Sequence, residues 1–380
     1  LFSFLLAVVL SVFVWMIGYP ASKASNSTTI GVVLHDSGAD KAGLKPGDEI
    51  LEVAGKPVNT FGGMVDSVKW AIISSRTDDI EFVYQRDGKV ETTSVSAPIP
   101  KPDPNVSWTK RLFKRPDVRR AGIGPAGPPI IVGDLKQDGP GELAGLQEGD
   151  LITHLNGEKL YDFFQIQNFI MAEDPASLEL TVEREGELQT VTLLPREPEK
   201  LNSDPAGKRH GIKPLRDELR PEDAKDTVSK HVPPHVQINA TLKTMWNTLS
   251  AVFSPNTGIT ATHLSAAPGI LNLYFNLLAS SPEGWKLVLW FSVLLNVNLA
   301  IMNLLPIPIL DGGHITMALI EGISRRPISL RVLEVVNAGC ALLLIGFMLF
   351  LSLYDTRDIV QQNQRYLEHS FEPISGSATP

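Results

Sequence analysis

Only one cysteine, Cys340, occurs in the 380 residues. No intrachain disulfide can form, and cysteine usage is silent on redox compartment. Basic residues are the minority: 34 Lys and Arg against 42 Asp and Glu leave a net charge of −8. That balance lacks the footprint of a nucleic-acid-binding protein, so no nucleic-acid partner is expected. Charge of either sign is missing from three long stretches, 1–20, 287–310 and 335–354. The sequence also lacks both Gly-x-Ser-x-Gly and His-Glu-x-x-His, which removes the ready signatures of a serine hydrolase and of a helix-borne zinc pair.

Each charge-free stretch is about 20 residues, the length needed to cross a hydrocarbon core of about 30 Å. A multi-domain membrane protein follows, with an α-helical transmembrane core of three spans at 1–20, 287–313 and 333–354. The opening stretch has a rival reading as a secretory signal, with small residues at Ala21-Ser22 behind it. It has no basic n-region and is long for an h-region, so a span is the better reading. The shorter run Gly269 to Ala279 reads as interfacial or re-entrant, and Trp285 and Trp290 fall where an aromatic belt would lie. The loop before the last span carries Arg325, Arg326 and Arg331. The positive-inside rule puts it in the cytoplasm and the long middle section on the outer side.

That middle section repeats itself. Ala42-Gly43-Leu44-Lys45-Pro46-Gly47-Asp48-Glu49-Ile50 returns as Ala144-Gly145-Leu146-Gln147-Glu148-Gly149-Asp150-Leu151-Ile152. Arg86-Asp87-Gly88 returns as Arg184-Glu185-Gly186, each between alternating strand-like flanks that predict a β-hairpin. Two units follow, at 27–100 and 119–197. The helix ending in Ala-Gly-Leu, the Gly-Asp turn and the strand ending in Ala-Gly or Asn-Gly resemble the circularly permuted bacterial PDZ domain, an α+β fold. The resemblance implies peptides or C-termini as ligands, docked by strand addition. It points to Ile30, Gly31 and Val32 in one copy and Gly122, Ile123 and Gly124 in the other as peptide-binding residues. Filtering substrates by size, with little peptide affinity, is the competing role.

Residues 198–236 are rich in Pro, Lys, Asp and Glu and read as a linker. Within 237–254, Ile238, Leu242, Met245, Trp246, Leu249 and Phe253 share helical spacing. This amphipathic helix either packs on a neighbouring domain or lies on the membrane surface. A juxtamembrane segment, 255–286, and a C-terminal tail, 355–380, complete the chain.

Chemistry concentrates in Asn303-Leu304-Leu305-Pro306-Ile307-Pro308-Ile309-Leu310-Asp311-Gly312-Gly313-His314. A carboxylate at the end of an apolar span is a functional-site hypothesis by default. Pro306 and Pro308 free backbone groups that hydrocarbon cannot satisfy, and Gly312 and Gly313 permit close approach. The spacing predicts a broken helix presenting Asn303 and Asp311 to an internal polar cavity; a plain helix end with Asp311 at the interface is the alternative.

Asn303, Pro306, Leu310, Asp311 and Gly312 spell Asn-x-x-Pro-x-x-x-Leu-Asp-Gly, which resembles the signature of the site-2 proteases, intramembrane zinc metalloproteases. His263 to Ile270 is similar to the family segment just before this helix, and a PDZ pair marks the regulator-of-sigma-E branch. The resemblance implies that span 1–20 is the family's second helix and that Asp311 is a zinc ligand. It also implies that Asn303 acts in the catalytic cavity and that Leu310 and the two prolines and glycines shape the helix break. Expected partners are the lipid bilayer and single-span membrane proteins, such as an anti-sigma factor, cut after an earlier trimming. The expected location is the bacterial inner membrane, with the PDZ domains periplasmic.

One part of the family pattern is missing. The only His pair at metalloprotease spacing, His231 and His235, lacks the Glu and holds Pro233 and Pro234. Asp311 alone cannot hold zinc, so this chain is expected to be inactive by itself. The charge-free opening at Leu1 leads us to expect the His-Glu-x-x-His helix upstream of it; a natural pseudoprotease, acting as a PDZ-bearing membrane adaptor, is the alternative.

Overall fold

The computed structural model describes residues 2–101, 115–196, 212–214, 226–254, 257–279, 282–324 and 329–364. The expected linker 198–236, the tail beyond 364 and the charges Arg325 and Arg326 lie wholly or largely outside those residues.

The chain combines apolar helices with two strand-rich units. Helix α1 (Phe2–Ile17) leads into β1 (Tyr19–Ser22), β2 (Ile30–Val33), α2 (Gly38–Lys41), β3 (Glu49–Val53), β4 (Lys56–Pro57), α3 (Val68–Ile73), β5 (Asp79–Arg86) and β6 (Lys89–Ser96). Next come β7 (Ile123–Pro125), β8 (Ile130–Leu135), α4 (Pro140–Leu143), β9 (Leu151–Leu155), β10 (Glu158–Lys159), α5 (Phe164–Glu173), β11 (Leu178–Arg184) and β12 (Glu187–Leu193). The remainder is β13 (Ile212–Pro214), β14 (Thr227–Lys230), α6 (Pro234–Val252), α7 (Ala267–Ala279), α8 (Gly284–Asn303), α9 (Asp311–Ser324) and α10 (Leu330–Gln364).

Each unit is an antiparallel sheet with two short helices. The order is β4-β3-β5-β6 in the first and β12-β11-β9-β8-β13 in the second, where β10 also pairs with β9. Alternating strands turn Ile80, Phe82 and Tyr84 inward in one core and Leu178, Leu180 and Val182 in the other. Fully burying a side chain of this size contributes about 1.5–3 kcal/mol.

The repeated sequence motifs meet in space. Arg86 donates through Nε and Nη2 to the Asp48 carboxylate at 2.7 and 2.6 Å, and through Nη2 to the Gly43 carbonyl at 2.8 Å. Arg184 does the same to Asp150, at 2.7 and 2.7 Å, and to Gly145, at 2.9 Å. The Gly-Asp turn is thus pinned to the hairpin in both copies. Burial pushes the Asp150 carboxyl up, but the Arg184 guanidinium and the Gln147 N–H outweigh it and hold it below the ordinary range.

Among the described residues two helices, α8 and α10, are long and apolar enough to cross a membrane. Three spans were expected; α1 has 16 described residues, about 24 Å of helix. Tyr19 stacks on Trp290 at 5.4 Å, and Ala7 and Val14 share a buried cluster with Val293 and Val297. Helices α1 and α8 therefore run antiparallel. The expected span 287–313 is interrupted: α8 stops at Asn303 and a new helix starts at Asp311.

Helix α6 packs on its neighbours at both ends. Ile238 joins the α1–α8 cluster, and the Gln237 amide donates to the Ser11 carbonyl at 3.1 Å. Its far end reaches the first unit, where the Asn247 amide donates to the Met64 carbonyl at 2.8 Å.

Candidate functional site

Helix α8 runs about 20 Å from Trp290 to Asn303, at 1.5 Å per residue. This carries the Asn303–Asp311 segment away from the Tyr19 end of the bundle, where the chain enters the strand-rich units. Beyond Asn303 the chain tightens into turns: Ile307 N donates to Leu305 O at 2.7 Å and Leu310 N to Ile307 O at 2.8 Å. Pro306 and Pro308 have no N–H to give, so regular helix stops here.

The loop folds back over the first turn of α9. A Cβ on Gly312 would lie 2.2 Å from the Leu304 carbonyl oxygen, and one on Gly313 would lie 2.1 Å from that of Ile307. Both glycines are buried, whereas the residues flanking them, Asp311 and His314, are exposed. Asn303 is half-buried. Neither Asn303 nor Asp311 has a side-chain hydrogen bond or ion pair among the described residues. The break thus leaves an uncommitted amide and carboxylate beside a densely packed backbone.

The donor set is incomplete for a zinc ion. Among the described residues no three His, Cys, Asp or Glu side chains come together. Asp311 supplies one donor, where a working site takes at least three protein ligands. His231 sits elsewhere, with Nδ1 2.9 Å from the Trp15 carbonyl. His263 is also committed: Thr260 N donates to its Nδ1 at 3.0 Å, and its Nε2 lies 3.0 Å from the Pro116 carbonyl.

The two peptide-binding triplets were expected one in each unit; the structure sets them side by side instead. Strand β7 pairs antiparallel with β2, with Val33 opposite Ile123 and Val32 opposite Gly124. Residues 121–125 therefore complete the first unit, although the sequence had placed them at the start of the second. A Cβ on Gly31 would lie 2.1 Å from the Pro125 oxygen, and one on Gly122 would lie 2.2 Å from Ser37 Cβ. Gly31 lets two backbones close on each other, and Gly122 leaves room for the Ser37 side chain. The matching strand of the second unit is β13, paired with β8, inside the stretch read as linker. A signal was available: Gly211-Ile212-Lys213-Pro214 echoes Gly122-Ile123-Gly124-Pro125. Among the described residues β7 pairs only with β2 and β13 only with β8, so each keeps a free edge.

The units also clasp each other. The Asn168 amide, on α5 of the second, donates to the Val33 carbonyl at 2.9 Å and accepts the His35 N–H at 3.4 Å.

Residues 1–347 match the pattern of Peptidase family M50. The regulator of sigma-E protease RseP of Salmonella typhimurium is 28% identical over 92% of this chain and 75% of its own length. RseP of Escherichia coli is 27% identical over the same shares. A Vibrio cholerae protein named as a zinc metalloprotease is 29% identical over 88% of this chain and 71% of its own.

Proposed function

Because this chain belongs to peptidase family M50, a family of zinc-dependent membrane metalloendopeptidases, we propose that it forms the substrate-handling body of an intramembrane protease of the site-2 type. The observation that carries this reading is the α8–α9 break. An anchor helix has no need of Gly312 and Gly313 packed on loop carbonyls, nor of an uncommitted Asp311 beside them. On this reading Asp311 is a metal ligand, and the Asn303 amide holds the backbone of a substrate strand. Pro306 and Pro308 keep the loop non-helical so that substrate backbone can approach. Zinc, when bound in the family, supplies Lewis-acid chemistry; the residues described here do not complete its site.

The two strand-rich units are PDZ-type domains on the outer, periplasmic side of a bacterial inner membrane, with α1 as a third span. Their position at the Tyr19 end suits a gate through which a substrate passes before it reaches Asn303. Extended peptide would add to the free edges of β7 and β13. The substrates we propose are single-span membrane proteins, anti-sigma factors among them, already shortened outside the membrane.

The test supplies the missing donors. The 380-residue chain alone should hold almost no zinc by elemental analysis. Fused behind a His-Glu-x-x-His helix of the family's type, it should hold about one zinc per chain and cut a single-span reporter. Asp311→Asn in the fusion should abolish both. A fusion that inserts in membranes yet holds no zinc would leave the adaptor reading in its place.

A further inference from the structure

A cleft of about 460 Å³ separates the first strand-rich unit from α6. One wall carries Lys56, Trp70, Ser74 and Arg76, and the other Ser250 and Ser254. Two contacts join the first unit to this part of the chain: the Asn247 amide donates to the Met64 carbonyl at 2.8 Å, and Gly258 lies by the Ile99 side chain.

The chemistry of the cleft is one-sided. Among the described residues no Asp or Glu lines it. The nearby carboxylate of Asp78 is taken by Arg119, whose Nη1 donates to it at 2.5 Å. Lys56 and Arg76 have no ion-pair or hydrogen-bond partner for their charged groups among the described residues, and the hydroxyls of Ser74, Ser250 and Ser254 are equally unengaged. Two cations and three hydroxyls around one concavity match the oxygens of a phosphate, which an Arg fork and a Lys point charge both recognise.

Location selects the source. Helix α6 is seated at one end in the apolar cluster of α1 and α8. Beside the cleft it leaves Trp246 73% and Phe253 83% exposed. Aromatic side chains so placed belong at a membrane interface. We infer that the cleft binds the phosphate of an anionic membrane-lipid headgroup, whose acyl chains run past Trp246 and Phe253. Arg76 and Lys56 carry the charge recognition, with Ser74, Ser250 and Ser254 donating to phosphate oxygens. Bound lipid would fasten the first unit to the bilayer surface, whatever the chemistry at Asp311.

The experiment is native mass spectrometry of the full chain released from bilayer discs containing equal amounts of phosphatidylglycerol and phosphatidylcholine. The chain should retain phosphatidylglycerol selectively. Lys56→Gln with Arg76→Gln should cut that retention about tenfold, as expected for losing charge-assisted bonds. Ser250→Leu, which fills the cleft from the other wall, should do the same, while Lys89→Gln, outside the cleft, should change nothing. Added inorganic phosphate should not displace the lipid. Displacement by phosphate at equal concentration would overturn the lipid source in favour of the free ion. Equal retention by the chain and both cleft variants would overturn the site itself.

Discussion

Arg115 and Asp355, 240 residues apart, form an ion pair near the C-terminal end of α10. Arg115 lies between the two strand-rich units, and its Nε also sits 2.9 Å from Asp358. Asp355 is buried and accepts the backbone N–H groups of Ala266 at 2.7 Å and Gly269 at 3.0 Å, so it also caps α7. A Cβ on Gly269 would lie 2.7 Å from this carboxylate. One side chain thus ties the inter-unit segment, α7 and the last apolar helix together.

Replacing Asp355 should therefore unsettle three segments at once. Asp355→Ala strips a helix cap and leaves the Arg115 guanidinium without its buried partner, at a cost of about 3–5 kcal/mol. Arg115→Gln should cost less, because the two backbone donors remain. Thermal melts in detergent should rank the variants in that order, with faster proteolysis near residue 115; equal melting points would show that the pair contributes nothing.

At the helix break, Gly312→Ala forces a methyl into the Leu304 carbonyl. The loop must shift, at an expected cost of about 1–3 kcal/mol. Since Asp311 precedes it, the zinc content of the fusion should fall with stability. Gly322→Ala, on the same helix but with open space at its Cβ, should leave zinc content unchanged and serves as the control.

The lowered Asp150 carboxyl makes a pH prediction. A group whose folded pKa lies below its unfolded value stabilises the fold above the ordinary carboxylate range. That contribution disappears as pH falls through the lowered folded value. Asp150→Asn should thus be less stable than the native chain at pH 7, and the gap should close in strong acid. Melts of the full chain between pH 7 and pH 2 check this; a gap independent of pH would mean that the carboxylate's charge is not what matters.

Asn168→Ala should loosen one unit from the other. It removes two hydrogen bonds to β2 and its extension, worth about 1 kcal/mol each. Distances between spin labels on the two sheets should broaden, with neither unit unfolding. An unchanged distribution would assign the docking to other contacts, such as the Tyr161 ring against Gly47.

Much of the architecture was readable because it is local. The Ala-Gly-Leu and Gly-Asp repeat announced two similar units, and alternation around Asp87-Gly88 and Glu185-Gly186 announced their hairpins. Helix α6 was visible from its apolar spacing. The break at Pro306 and Pro308 was legible too, since a residue without an N–H cannot sit in a helix interior without breaking the hydrogen-bond ladder.

What the sequence determined by itself, then, is the family, the repeat and the identity of the residues at the break. Each depends on chemistry within a few positions of the chain. Tertiary structure decided which unit each edge strand completes, putting Ile123 beside Val33 and Ile212 opposite Leu135. It also decided that Arg115 meets Asp355 and that Lys56 and Arg76 line one cleft with α6, with no counter-charge among the described residues. Such pairings join segments tens to hundreds of residues apart. No local period encodes them, because the free energy that selects them is released only when distant surfaces close on one another.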